Sequence, residues 1–327
     1  MKPLIVAKII DNTVYYPFMK RFFCIVSLLT IVLALGFSCT NDDTLAPTYP
    51  IFFRCSDLTR AEAKLEDIQD NGFRVYAFFQ AAPSVGNVTG SFDKAVAWSD
   101  TANGGDGGWI YNPIEYWIPG ATYYFKAFYP KDIAAVVNNT NSAQSYTISN
   151  YDVTLQHDLL VAEARDIVVD STTGEPSTGS VVNLTFEHLL SCVTIAAKTK
   201  IDGVEVKRIT LNGVATTATF ENGSWASSQT TSLTKNHKTT LRSSSVDYVD
   251  VADGGFLLVP EVVNGGQELI IETSKKTYTV VIPEITWESN KKYTYTLTIE
   301  QNDILFDEPA IAEPWDETNA TGSVIIK

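Results

Sequence analysis

Lys292-Tyr293-Thr294-Tyr295-Thr296-Leu297-Thr298-Ile299-Glu300 alternates without a break. Side chains along a strand point to opposite faces in turn. Tyr293, Tyr295, Leu297 and Ile299 are therefore expected to face a core, and Thr294, Thr296 and Thr298 to face water. The same β signature recurs upstream, in Val181-Val182-Asn183-Leu184-Thr185-Phe186 and Cys192-Val193-Thr194-Ile195-Ala196-Ala197. Asp202-Gly203 and Asn212-Gly213 read as hairpin turns between apolar runs, and Asn222-Gly223 and Gly265-Gly266 punctuate in the same way. Nearer the start, Phe73 to Phe79 and Thr122 to Tyr129 are aromatic or β-branched runs, the β-rich pattern continues through Asp158 to Ala162, and Gly104 to Gly108 marks a loop or hairpin tip between Trp98 and Trp109. Ala61 to Asp70 is the best helical candidate, with a mobile loop as the alternative. Many short strands at near-regular spacing predict an all-β protein built of β-sandwiches.

Asp170 to Gly179 holds turn formers and no large apolar residue, which reads as a linker. It divides the expected fold into a sandwich over 51–170, a linker over 171–180 and a second sandwich over 181–327.

Composition sets the function classes. With 45% hydrophobic and 19% charged residues in 327, the chain buries a sizeable core and is not disordered. A formal net charge of -14 repels phosphate backbones, so nucleic acid is not an expected partner. Four Cys without a CxxC pair, and three His, argue against a zinc or multi-histidine centre, and no cofactor is expected.

Met19-Lys20-Arg21, the apolar run Phe22 to Phe37 and Gly36-Phe37-Ser38-Cys39 followed by polar Thr40-Asn41-Asp42-Asp43 have the layout of an export signal. The run is short for a membrane span of about 20 residues. It resembles a bacterial lipoprotein signal, in which the cysteine becomes the acylated first residue; Cys39 is then the lipidation site. An ordinary signal peptide is the alternative. Residues 1–18 read as an upstream extension, 1–38 as extension plus signal, and 39–50 as a polar tether. Cys55 and Cys192 remain, either paired or as free buried thiols.

Chemistry is hard to find. His157-Asp158 and Glu187-His188 offer triad parts, but no GxSxG elbow fixes one, and His188 reads as a hydrogen-bonded core or strand-end residue. His237 reads as exposed loop. The Asp106 loop lacks the ligand count of a calcium site. Trp98, Trp109, Tyr111, Tyr116 and Trp117 either form a sugar-stacking platform or alternate into the core, and the core is the favoured reading.

Four ordered segments carry a resemblance. They are Tyr116-Trp117-Ile118-Pro119-Gly120 leading into Tyr124 to Pro130, Leu184-Thr185-Phe186-Glu187-His188-Leu189-Leu190-Ser191, Gly255-Phe256-Leu257-Leu258-Val259-Pro260, and Lys291 to Leu297, with a late Trp315. Together, behind a lipoprotein signal, they resemble the fimbrillin-like (Mfa-like) family of Bacteroidales fimbrial subunits and surface lipoproteins. The resemblance implies two tandem transthyretin-like β-sandwich domains and a non-catalytic subunit or surface adhesin on the outer membrane or fimbrium. It also implies assembly with other subunits, itself included, by β-strand addition. Arg54 and Arg60 lie where such proteins are cut; the bland reading is two exposed arginines. Val324-Ile325-Ile326, within Thr321 to Lys327, is either a fixed edge strand or a donor. No receptor is named. The competing function is a surface glycan-binding lipoprotein serving a nutrient importer.

Overall fold

The structure, a computed structural model, describes residues 49–55, 65–81, 89–140, 143–221, 223–307 and 310–315. The first strand, β1 (Phe52–Cys55), is followed by the one α-helix among the described residues, α1 (Leu65–Asn71). The helix ends at Gly72, whose N–H bonds the Ile68 carbonyl at 2.7 Å. Gly72 has φ +73, and a Cβ there would stand 2.4 Å from the Val96 carbonyl oxygen, so the close approach requires glycine. Strands β2 (Phe73–Ala81), β3 (Thr89–Ser99), β4 (Gly108–Ile110) and β5 (Ala121–Tyr129) follow. β2 lies antiparallel between β3 and β5, and Phe73, Val75 and Ala77 on its inner face are fully buried. β4 closes the β3 hairpin, with Trp98 opposite Trp109 and the Gly104 to Gly108 loop at its tip.

The chain then leaves this sheet. The hairpin of β6 (Ala135–Thr140) and β7 (Ala143–Asp152) pairs with a strand from much later, Val204–Glu221. β8 (Leu160–Val168) returns to pair with β5, β9 (Val181–Leu184) runs parallel to β1, and β10 (Phe186–His188) pairs with β8. The first sheet thus has the order β10-β8-β5-β2-β3-β4.

The remaining strands are β11 (Ser191–Thr199), β12 (Val204–Glu221), β13 (Ser224–Lys235), β14 (Thr239–Leu241), β15 (Val249–Asp250), β16 (Phe256–Leu258), β17 (Glu261–Val263), β18 (Glu268–Thr273), β19 (Thr277–Val281), β20 (Ile285–Trp287), β21 (Lys291–Ile299), β22 (Ile304–Phe306) and β23 (Ile311–Pro314). One sheet runs β15-β11-β21-β22, with β16 on β11 and β23 on β21; another runs β19-β18-β12-β7-β6, with β13 and β14 on β12. Their inner faces share one hydrophobic cluster that includes Ile195, Leu211, Ile271 and Leu297. A second cluster, with Phe53, Phe73, Trp117, Phe125 and Phe186, is the core of the first half.

The all-β expectation holds, and three finer expectations are corrected. The run 170–179 is not an interdomain linker. Asp170 Oδ1 accepts from the Thr172 and Thr173 amides at 2.8 and 2.7 Å, the Gly174 N–H bonds the Asp170 carbonyl, and Val169 bridges Pro176. Ile167 and Val169 before this turn, and Val182, Leu184 and Phe186 after it, all lie in the first core. Polar turn formers announce an exposed connection, whether or not the two flanks share a core. The division into 51–170 and 181–327 therefore fails in both directions: residues 181–186 build the first core, while Ala135, Ile148, Tyr151 and Val153 build the second. Residues 46–327 form one compact unit.

Asn212-Gly213 is not a hairpin turn but a register shift inside β12, opposite β13. Gly213 has φ +76, a conformation that serves a bulge as well as a turn. The outer face of β21 is not open water either. Tyr293, Tyr295, Leu297 and Ile299 are buried as the alternation predicts, but Thr298 is 3% exposed and donates to Asp307, and the Thr294 hydroxyl lies 2.8 Å from that of Thr194. β21 is central, with β11 along one edge and β22 and β23 along the other, and the side chains of Thr194 on β11 and Asp307 just after β22 close over Thr294 and Thr298.

The crossing hairpin carries a testable charge. Lys126 on β5 is 1% exposed, lies against the Glu163 carboxylate, and has its Nζ 4.9 Å from the centre of the Tyr146 ring on β7. Burial, with Arg165 nearby, pushes the Lys126 pKa down to about 8. The unfolded chain keeps this proton up to its ordinary pKa near 10.4, so it binds more protons than the folded protein above pH 8. Stability is expected to rise by on the order of 1–3 kcal/mol from this group between pH 8 and 10. Denaturant titrations across that window check it, and Lys126→Met is expected to flatten the rise. An unchanged slope in Lys126→Met would assign the effect elsewhere.

Candidate functional site

β1 is the element on which the candidate site is built. Its alternation sends Phe53 and Cys55 inward, 6 and 9% exposed, and Phe52 and Arg54 outward. The Phe53 ring meets Tyr111 at 5.5 Å, Phe125 at 6.0 Å and Phe73 at 6.1 Å between centroids. One edge of β1 pairs in parallel with β9, from Phe52 opposite Val181 to Cys55 opposite Leu184. Beyond that ladder the approach to the strand is held by scattered bonds: Ile51 N–H to the Glu115 carbonyl, Tyr111 hydroxyl to the Ile51 carbonyl, and Trp117 N–H to the Tyr49 carbonyl, all 2.8–2.9 Å. Local sequence explains the strand, since Ile51-Phe52-Phe53 is β-prone. Its partner, nearly 130 residues away, is set by the parallel crossover. Fully burying side chains such as Ile51 and Phe53 contributes about 1.5–3 kcal/mol each, so a four-residue strand seals much of this core.

Cys55 lies at the end of this strand, and burial pushes its thiol up to about 12. Cys192 is buried in the other core, and neither Cys55 nor Cys192 is in a disulfide. Of the aromatic set, Trp109, Tyr111 and Trp117 are buried in the first core, Trp98 is half-buried, and Tyr116 is 51% exposed. Trp98 and Trp109 cross at 75°. These rings do not make a shared flat platform, which removes the observation that would have favoured a glycan-importer lipoprotein. Burial also holds the Tyr111 and Tyr123 hydroxyls neutral, at about 12.

His188 ends β10 as a buried residue. Its Nδ1 is 2.8 Å from Asp158 Oδ2, and its ring stacks on Trp315 at 3.9 Å and 7°. Asp158 Oδ1 also accepts the Leu159 N–H, and the nearby Ser191 hydroxyl is directed at the Leu258 carbonyl, so this cluster ties chain segments together. His237 lies 3.6 Å from Asp253 on the surface.

Arg54 is exposed on β1, opposite Asn183. Cys39, Arg60 and Val324, Ile325 and Ile326 lie outside the described residues. The sequence reading missed the outward apolar residues Phe52, Ile110 and Ile114, because nothing local tells which face of so short a strand lacks a covering layer.

Residues 59–315 match the sequence profile of the fimbrillin-like family. Among solved structures, the chain is similar to a fimbrial protein from Bacteroides vulgatus, with 16% identity, TM-score 0.56, and 82% of this chain and 99% of that one covered. It is also similar to a candidate cell adhesion protein from Bacteroides ovatus, with 14% identity, TM-score 0.50, and 84% and 99% covered. At these identities the likeness speaks to fold. No curated protein sequence matches the chain. The profile spans well over half of the sequence, and the chain belongs to the fimbrillin-like family.

Proposed function

We propose that this protein is a non-catalytic fimbrial subunit or fimbria-associated surface adhesin. In this reading it is lipid-anchored to the outer membrane through Cys39 and joins other fimbrial subunits by β-strand addition. The observation that carries the proposal is family membership over 59–315, and the seat of β1 supports it. A strand with one ladder partner and two inward apolar side chains is a removable piece of core, and a strand of matching alternation could replace it. Arg60 is the better candidate for processing, and a cut there would free residues 61–327 from β1 and from the Cys39 anchor, so the anchor holds the uncut chain. A cut at Arg54 would require β1 to leave β9 first, because proteases take substrates as unpaired extended chain. Val324, Ile325 and Ile326 would supply the apolar side chains of a donor.

One experiment in the native cell tests the proposal. Deleting residues 324–327 is expected to abolish incorporation into fimbriae while leaving a folded, surface-bound protein. Cys39→Ala is expected to release the protein from the outer membrane. Fimbriae that still contain the truncated chain would reject the donor, and unchanged membrane retention of Cys39→Ala would reject the anchor.

A further inference from the structure

The outer side of β1 carries exposed apolar side chains. Phe52, Ile110 and Ile114 are 43, 47 and 39% exposed, and with Trp98 and Val181 they line a pocket of about 460 Å³ beside the β3–β4 hairpin. Large apolar side chains gathered on a surface mark a contact site, and this volume suits a small ligand or one residue of a larger one.

Charge narrows the ligand. The chain has 38 Asp+Glu against 24 Lys+Arg, yet among the described residues no carboxylate lines this pocket and Arg54 is its one charged side chain. The cleft lined by Asp67, Asp132 and Asp158 is acidic, whereas the one beside Asp202 and Glu300 sets Lys200, Lys275 and Lys276 against them. An anion is therefore repelled at the first of these and accepted beside Arg54, whose charge no carboxylate of the described lining offsets. The guanidinium fork matches a planar carboxylate in two-point contact.

Shape narrows it further. β1 and β4 approach within 8 Å at Cα without pairing. A strand laid between them would need two spacings of 4.7–4.9 Å, about 9.6 Å in all. With β1 in place the pocket takes a compact group and not an added strand. Its rim also offers the Gln69 amide, which suits a hydroxyl group better than an alkyl chain.

We propose that this pocket binds a carboxylate-bearing sugar ring. The apolar face of the ring lies on Phe52 and Trp98, the carboxylate lies in the Arg54 fork, and a hydroxyl meets the Gln69 amide. The inference rests on the adhesin reading and gives its receptor a chemistry. It also ties binding to β1: a chain that has lost β1 has lost Phe52 and Arg54, and with them the site.

Calorimetric titration of the purified protein tests it, with sialyllactose and digalacturonate as acidic probes, and lactose and decanoate as controls. Sialyllactose or digalacturonate is expected to bind at least tenfold more tightly than lactose, and which of them does so separates a host sialoglycan from a uronate polymer as the source. Arg54→Gln is expected to weaken binding at least tenfold with unchanged thermal unfolding, and Arg54→Lys to restore only part of it. Equal binding of acidic and neutral sugars, binding of decanoate alone, no binding, or an unaffected Arg54→Gln variant would each overturn the assignment. Titration does not read assembly, so failure here leaves the subunit proposal standing, and loss of the assembly result leaves the pocket standing.

Discussion

Phe53→Ala is expected to destabilise the first core by about 3–5 kcal/mol, while Phe52→Ala, one position earlier, is expected to cost about 1 kcal/mol. The two residues share a strand and a side chain and differ in the face they occupy. Phe53 is 6% exposed and touches three aromatic rings, whereas Phe52 is 43% exposed. Truncating Phe53 removes its transfer free energy and leaves a cavity between Tyr111, Phe73 and Phe125, whose own packing limits collapse. The loss should be local at first. Segment-resolved hydrogen exchange is expected to show protection falling in β2 and β5 while β11 and β21 keep theirs. Equal costs at positions 52 and 53 would mean that β1 is not seated in this orientation. A uniform loss across both cores would mean that they unfold as one unit. The first outcome would also remove the physical basis for treating β1 as a replaceable strand.

The same strand shows how far a sequence reading extends. Alternation in Lys292 to Glu300, the aromatic run of β5 and the hairpin tip at Gly104 to Gly108 were all legible, because period two and glycine punctuation are local properties. The helix expected within Ala61 to Asp70 occurs as Leu65–Asn71. What failed was non-local. Nothing within Ala135–Asp152 says that this hairpin joins β12, and nothing within Val181–Leu184 says that it lies beside β1. Both segments alternate acceptably for either core, so partner choice rests on crossover geometry and shared burial. The candidate site suffered in the same way. Arg54 was visible as an arginine near the start of the fold, but its pocket is assembled from β1, α1, β9 and the β3–β4 hairpin.

Crossing segments also bear on mechanics. The first core borrows β9 and β10 from beyond the 170–179 turn, and the second core borrows β6 and β7 from before it. Pulling the two halves apart must therefore break strand ladders and not merely extend a linker. That arrangement suits a surface protein under load better than beads on a flexible tether would.

Trp315→Ala is expected to cost about 3–5 kcal/mol in the second core and to release the chain end from its seat. Trp315 is 3% exposed, stacks on His188, and donates its backbone N–H to the Asn290 carbonyl at 3.1 Å. It follows β23, whose four residues pair with Lys291 to Thr294 of β21. A strand that short gains little from its ladder alone, so the indole is its principal anchor. The position matters because Asp316 to Lys327, with Val324, Ile325 and Ile326, follow Trp315 in the sequence. In the proposed assembly the anchor fixes where a donor begins and transmits load from that donor to β21. Trp315→Phe keeps an aromatic face on His188 and is expected to recover most of the stability, whereas Trp315→Leu restores apolar volume without the stack. Denaturant unfolding of the three variants, with limited proteolysis at residues 311–327, distinguishes the contributions. If Trp315→Ala unfolds like the wild type and its end is no more readily cut, the anchor lies elsewhere in β23, and the exit point of the donor is not set by this residue.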